Sequence, residues 1–408
     1  MNNKEILPIL YDGLASTLAS TVTHIEPIKL FKRPDSSVIF CQVQLAHSHE
    51  IYVWIKNLGR KPILDLNLEA PFKYSGNAAQ KPVNHLVDRQ TLRKGLGVYA
   101  KRTIRDYNLT QYLYNTLGQS GAFLVPRPLF HSPEHHLIVT EHMPGERLQN
   151  KIERGARWLS SKANKSALQK DCYQAGQWLQ TFQQTTQNYC PGLSAGAPPE
   201  RVKNSEQIVE QALERYEALL ASLADQDESF PTLSEIETTL NKNLEQMQGT
   251  KEIICSVHGD FFAGNLLENQ GKITGIDFSS STWGNASFDV GYFVFQLETL
   301  QFKWHYLQST IDGMVDAFLD GYGFKGHNKS LWTADPSLNN VLISLCVSRC
   351  LSLSSEKTLT GLRGKYRRLQ LLVFRKRLDQ LIRCHRRTRG TAVRRPAAAD
   401  RDRTGFVP

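Results

Sequence analysis

The sequence predicts an α+β protein in two parts, a strand-rich first third and a longer, mainly helical remainder. Three observations carry this. Between Ile25 and Lys56, runs of Ile, Val, Phe and Tyr are separated by short polar turns, the pattern of consecutive antiparallel strands. Beyond residue 144, apolar residues recur mostly at spacings of three and four. Within that helical part stands one polar loop between apolar runs, Val257-His258-Gly259-Asp260-Phe261-Phe262-Ala263-Gly264-Asn265-Leu266-Leu267, followed by Ile276-Asp277-Phe278.

Composition sets the outer bounds. A chain of 408 residues, 40% hydrophobic and 22% charged, reads as a globular protein large enough for two lobes and a substantial core. No apolar run reaches the roughly 18 residues that a transmembrane helix needs. The start, Met1-Asn2-Asn3-Lys4-Glu5, lacks the basic and apolar regions of a signal peptide. The seven cysteines are scattered without a CxxC or a zinc spacing, which suggests reduced thiols and a cytoplasmic location. The net charge of +10 is uneven: Gly361 to Pro408 holds 15 Lys/Arg against 3 Asp/Glu, leaving 34 against 36 elsewhere. A nucleic-acid-binding body is therefore not expected.

The elements follow in order. Ile25 to Phe31 and Ser37 to Leu45 read as strands around the turn Arg33-Pro34-Asp35-Ser36. A third strand, Ile51 to Lys56, follows the turn His47-Ser48-His49-Glu50. Residues 59–87 have little periodicity and many turn formers, as expected of a mobile insertion. From about Asp88 to Leu117 the pattern is helical. Val125-Pro126-Arg127-Pro128-Leu129 breaks it and leads to an apolar strand from His136, ending in Glu141-His142-Met143-Pro144-Gly145. Leu168 to Gln183 is an amphipathic helix, Gly192 to Pro199 a loop, and Ser205 to Met247 helical around Phe230-Pro231-Thr232. After Asp289 the chain reads as all-helical. Asp312 to Tyr322, with Asp320-Gly321, reads as a helix ended by a glycine cap, and Val341 to Ser354 and Leu362 to Arg383 follow. The last helix is basic, with apolar Leu369, Leu372, Val373, Leu378 and Ile382. It packs as a terminal helix or rests on an anionic membrane surface. Residues 386–408 are expected to be a disordered basic tail.

The loop and the triplet suggest a chemistry. Phosphoryl transfer needs a carboxylate to orient and deprotonate a hydroxyl, and an amide oxygen and a second carboxylate to hold Mg²⁺ against the phosphates. Asn265 lies five residues after Asp260, and Asp277 ends the apolar run Ile273 to Ile276.

These motifs resemble the aminoglycoside/choline phosphotransferase family, the small-molecule branch of the protein-kinase-like fold. That family carries H-G-D-x-x-x-x-N and an aspartate in an I-D-F/W triplet; Asp289 matches a further family aspartate. The resemblance implies a bilobal fold with an antiparallel-sheet N-lobe over 1–143 and a helical C-lobe over 144–385. It implies ATP and Mg²⁺ as partners and a small-molecule hydroxyl as acceptor: an amino alcohol, a sugar or an aminoglycoside. It makes Asp260 the base and Asn265 and Asp277 the metal ligands, with His258 packed beneath the loop and Asp289 bracing it. It gives the nucleotide lysine as Lys56, with Lys101 as the competitor. The backbone of Glu141 to Met143 would meet the adenine edge. The helical acid that pairs with the nucleotide lysine is a glutamate in the family. Here the best-placed acid is Asp106, which pairs or is simply solvated. The helices before the loop would help form the acceptor pocket; Glu206, Glu210, Glu214 and Glu217 there would suit a cationic acceptor or are simply a polar helix face.

The turn between the first strands lacks a G-x-G-x-x-G. Other readings stand beside the enzyme: a kinase of a surface-glycolipid sugar, a nucleotide-binding pseudokinase scaffold, and a nucleic-acid binder acting through the arginine tail.

Overall fold

A computed structural model describes residues 3–33, 36–46, 49–58, 97–117, 121, 123–187, 189, 202–223, 230–249, 252–302, 305–324, 335–354 and 361–387. The expected insertion at 59–87, the loop Gly192 to Pro199 and nearly all of the basic tail lie outside these residues. The chain forms two compact units, Met1–Ile208 with Met247–Lys329, and Val209–Gln246 with Ser330–Pro408. They divide the chain along a different line from a lobe boundary at 143/144.

The first unit opens with helix α1 (Asn3–Leu18), then strands β1 (Val22–Arg33), β2 (Ser36–Leu45) and β3 (Glu50–Leu58). Helix α2 (Val98–Leu117) follows, then β4 (Phe123–Leu124), β5 (Pro128–Ser132) and β6 (Leu137–Glu141). Five strands form an antiparallel sheet in the order β1-β2-β3-β6-β5. Side chains alternate across a strand. Ile39, Cys41 and Val43 of β2 and Val53 and Ile55 of β3 are therefore buried on one face, against Ile6, Leu10, Tyr11 and Leu14 of α1. Lys56 and Trp54 emerge on the other. Helix α1 and strand β5 add to the elements that the sequence predicts: Ile6, Leu10 and Leu14 recur at helical spacing, and β5 starts at Pro128, inside the segment that breaks the preceding helix.

The unit continues with β7 (Glu146–Arg147), α3 (Leu148–Gly155), α4 (Lys162–Thr186) and β8 (Val202–Lys203). Helix α5 (Ser205–Ser222) and α6 (Leu233–Met247) lead to β9 (Ile254–Val257), β10 (Leu266–Asn269), β11 (Lys272–Gly275) and β12 (Thr282–Asn285). Helices α7 (Ser287–Glu298) and α8 (Gln308–Tyr322) close it. Two small sheets, β4-β11-β10-β7 and β8-β12-β9, frame the polar loop. The architecture is that of a bilobal protein-kinase-like α+β fold.

Gly321 does not cap α8. The left-handed cap is Gly323, at φ 104°, whose amide bonds back to Leu319 and Asp320. Gly321 instead lets α4 and α8 touch backbone to backbone. A Cβ there would lie 2.0 Å from the Tyr173 carbonyl oxygen, and one on Gly176 would lie 2.1 Å from that of Phe318.

The second unit holds most of α5 and α6 with α9 (Pro336–Ser354) and α10 (Gly361–Arg387). Glu235 and Thr232 cap α6 reciprocally, the Glu235 amide donating to Thr232 Oγ1 and the Thr232 amide to Glu235 Oε2. Asn243 donates to Asn339 and Asn340. Glu210, Glu214 and Glu217 are exposed along α5. On α10 the buried stripe is Leu371, Phe374, Leu378, Leu381 and Ile382, whereas Leu369 and Leu372 are exposed. The expected apolar face is thus corrected at Leu369 and Leu372, whereas Leu378 and Ile382 do lie on the buried stripe. Among the described residues no helix is long and apolar enough to cross a membrane.

Alanine for glycine inside a helix ordinarily gains about 1 kcal/mol. At Gly176 the new methyl meets the Phe318 carbonyl, so Gly176→Ala is expected to lose roughly 1–3 kcal/mol instead. Urea unfolding gives the sign, and a stabilised variant would refute the close approach.

Candidate functional site

Strand β9 ends at Val257, and the chain turns sharply at Gly259. Its φ is +80°, and a Cβ there would lie 2.3 Å from the Ser280 carbonyl oxygen, so only glycine fits. Asp289, fully buried in the first turn of α7, clamps this turn. Its two oxygens accept from the His258 amide at 2.6 Å and the Gly259 amide at 2.9 Å. This is the brace that the resemblance implied.

His258 lies beneath the loop, fully buried against the rings of Phe182, Phe261 and Phe278. Its Nε2 is 3.1 Å from the Ile276 carbonyl, which can only accept, so Nε2 carries the proton. Burial penalises the imidazolium and pushes the pKa down to about 4, despite the nearby charge of Asp277. The ring is a neutral strut near pH 7, weakly basic and closed off from solvent.

Beyond the turn, Asn265 Nδ2 donates to the Asp260 carbonyl at 2.9 Å and to Asp260 Oδ2 at 3.1 Å. Asp260 Oδ1 accepts from the Tyr292 hydroxyl at 3.0 Å. The Asn265 carbonyl accepts from the Ile276 amide at 3.0 Å, which brings the loop beside Asp277. Asp277 itself is left-handed, at φ 67° and ψ 65°. A non-glycine residue adopts that conformation at a cost of about 1–3 kcal/mol, so its surroundings must hold it. Phe278 anchors it from below in the aromatic core with Trp178 and Phe182.

Above, Lys56 joins the two halves. Its ammonium is 3.1 Å from Asp106 Oδ2 and also pairs closely with Asp277 Oδ1. Asp277 Oδ1 accepts from Ser279 Oγ at 2.7 Å, and Asp106 Oδ1 accepts from the Phe278 amide at 3.1 Å. Burial alone would lower the Lys56 pKa, but the two carboxylates more than offset this and hold it above the ordinary value. Burial opposes ionisation of Asp277 too, and Lys56 overcomes it, keeping that carboxyl well below the usual range. Asp106 goes the other way: burial, with the charge of Asp277, outweighs Lys56 and raises it.

Of the two candidate lysines, Lys56 therefore meets the acids, whereas Lys101 is exposed on α2. Asp106 is paired and buried, not solvated. Glu141 to Met143 stand at the end of β6, but the sheet takes two of their three amides. Glu141 donates to the Arg127 carbonyl and His142 to that of Tyr52. Among the described residues the Met143 amide has no hydrogen-bond partner. Beside it lie two rings that the sequence reading left unassigned. Trp54 Nε1 donates to His142 Nδ1 at 3.0 Å, and Phe40 lies 4.8 Å from Trp54 and 4.9 Å from His142 between ring centroids. Tyr292 and Ser279 were also unassigned. The spacing of Tyr292 three residues after Asp289, on one helical face, was the available signal.

The phosphotransferase enzyme family APH matches residues 94–332, more than half of the chain. The chain belongs to this family. No curated protein matches it. Among solved structures, an amicoumacin kinase in complex with AMP-PNP, Ca²⁺ and Ami has a TM-score of 0.48 at 14% identity, covering 93% of this chain and 96% of its own. Aminoglycoside phosphotransferase APH(4)-Ia has 0.48 at 11%, covering 93% and 97%. A choline kinase from Cryptosporidium parvum Iowa II has 0.47 at 12%, covering 93% and 98%. At such identities and TM-scores the likeness says nothing of what this chain acts on. As a family member it is a phosphotransferase enzyme, and His258, Gly259, Asp260, Asn265 and Asp277 all fall within the matched residues of this phosphotransferase.

His258 makes stability depend on pH. Its folded pKa of about 4 lies below the ordinary imidazole value of 6.5, so the unfolded chain takes up the proton first as pH falls. Its contribution is whole above pH 6.5 and is lost progressively towards pH 4, a change on the order of 3 kcal/mol. His258→Gln is expected to flatten unfolding free energy against pH over that interval. An unchanged slope would contradict a buried neutral imidazole.

Proposed function

We propose that this phosphotransferase moves the γ-phosphoryl group of ATP to a hydroxyl of a small molecule, in the class of amino alcohols, sugars or aminoglycosides. The observation that carries this reading is the ammonium of Lys56 bound to both Asp106 and Asp277. It joins the strand residue, the helical acid and the loop aspartate that such a transfer requires.

In this reading residues 1–143 form the nucleotide lobe and 144–385 the lobe carrying the catalytic loop. The Met143 amide donates to the base edge, and Trp54 and Phe40 offer apolar surface beside it. Lys56 turns from Asp277 to the α/β-phosphates, and Asp106 keeps it in place. The acceptor hydroxyl gives its proton to Asp260. The acceptor oxygen bonds to the γ-phosphorus as the bond to the leaving ADP breaks.

The donor set fits Mg²⁺. Among the described residues no three His, Cys, Asp or Glu side chains come together as a metal cluster. A single carboxylate on Asp277 with the Asn265 amide oxygen, whose Nδ2 is already committed to Asp260, suits a hard cation completed by phosphate oxygens and water. When bound, Mg²⁺ would offset charge on the phosphates. The Lys56–Asp106 pair removes one ground for a non-catalytic scaffold.

A contact with an anionic membrane is proposed for α10 alone, on the exposed face where Tyr366, Leu369 and Leu372 lie among Lys365, Arg368 and Lys376. Co-sedimentation with phosphatidylserine vesicles should fall when Leu369 and Leu372 become Ser; equal binding by the variant would dismiss this surface.

The test of the main reading is ADP formation from ATP and Mg²⁺ across a panel of amino alcohols, sugars and aminoglycosides. One acceptor class should raise turnover. Asp260→Asn should lower it about 10²- to 10⁴-fold while leaving the melting temperature near that of the parent. Asp260→Asn with full activity would overturn the assignment of the base.

A further inference from the structure

We propose that Tyr292 is a positioning residue for Asp260, holding the carboxylate in the plane from which it meets the acceptor hydroxyl. This rests on the reading of Asp260 as the base. A carboxylate on a short side chain can rotate about its terminal bond, whose torsion is broad. Here both oxygens are tied. Oδ2 accepts from Asn265 at 3.1 Å, and Oδ1 accepts from the Tyr292 hydroxyl at 3.0 Å. Asn265 is bound to the same loop and moves with it. Tyr292 comes from α7 and so fixes the carboxylate against an external frame.

The position on α7 gives the contact its precision. Asp289 and Tyr292 are three residues apart and share a face. Asp289 clamps the amides of His258 and Gly259, and Tyr292 reaches the side chain of the next residue. One helical turn thus sets both the backbone and the side chain of the catalytic loop. Gln296 lies one turn further along α7, and its side chain acts on the same phenol. The hydroxyl itself donates to Asp260. Burial, together with the charge of Asp260, pushes the Tyr292 pKa up to about 12, so the phenol keeps that proton through the working range. Phe288 stacks on the ring at 6.3 Å and steadies it from the preceding turn.

The arrangement predicts a division of effects. Tyr292 touches none of the groups proposed to hold nucleotide, so its loss should slow transfer without weakening nucleotide binding. The probe is MgATP and the readout is ADP formation by the full chain, with water alone and with each member of the acceptor panel. Tyr292→Phe keeps the ring and removes only the hydroxyl. It is expected to lower kcat about 10- to 100-fold, with KM for MgATP unchanged within about twofold. Gln296→Leu should give a smaller loss with the same split. Retention of the parent kcat in Tyr292→Phe, or a rise in KM with kcat unchanged, would overturn the proposal. Should Tyr292→Phe fail to fold, Gln296→Leu decides alone, and an unaltered kcat there counts against it. Asp260→Asn separates the two claims. If that variant is inactive while Tyr292→Phe is not impaired, only the role of Tyr292 falls. If it retains full turnover, or the parent forms no ADP at all, the reading of the base falls and takes this proposal with it.

Discussion

One buried ammonium holds this site together. Lys56 is shared by Asp106 and Asp277, which come from a helix and a loop far apart in sequence. Burying three charges is costly, and only close pairing with further hydrogen bonds compensates it. The Phe278 amide on Asp106 and the Ser279 hydroxyl on Asp277 supply those bonds. The group is still unbalanced, with one positive charge against two carboxylates. Burial, with the charge of Asp277 beside it, raises the Asp106 pKa. A cation drawn to Asp277 would relieve it, and Lys56 would then be free to meet phosphate.

The rest of the first unit serves to hold this pairing. Alternation along β3 buries Ile55 under α1 and sends Lys56 to the opposite face. Phe278 locks into the aromatic core next to Asp277, which lets that residue persist in a left-handed conformation. Gly259 allows the loop to pass against Ser280, and Asp289 fixes the turn from α7. The neutral His258 fills the space beneath without adding charge. Each constraint is local, and together they leave the side chains of Asp260, Asn265 and Asp277 little freedom.

The arrangement of the loop was legible in the sequence because it is written at fixed short spacing. Asp260, Asn265 and Asp277 stand within one stretch of chain, and the strands leading to Lys56 alternate clearly. The pairing of Asp106 was only half legible, since a helical acid pairs or not according to packing between elements, which no local pattern encodes. Helix α1 escaped notice although Ile6, Leu10 and Leu14 carry its period; Pro8, an unfavourable helix residue, stands inside it, and its partner sheet is what stabilises it. The α10 stripe was misassigned because Leu369 and Leu372 are as apolar as Leu371 and Leu381, and only tertiary contact chooses between them. Tyr292 was hidden for the same reason: its role exists only where α7 faces the loop.

The most direct test of the account is calorimetric titration of ATP into the parent protein and Asp277→Asn, each with Mg²⁺ and with EDTA. The account predicts binding to the parent that requires Mg²⁺ and is lost or strongly weakened in Asp277→Asn. Binding of equal strength in all four titrations would contradict it, because Asp277 would then have no part in holding a metal–nucleotide complex.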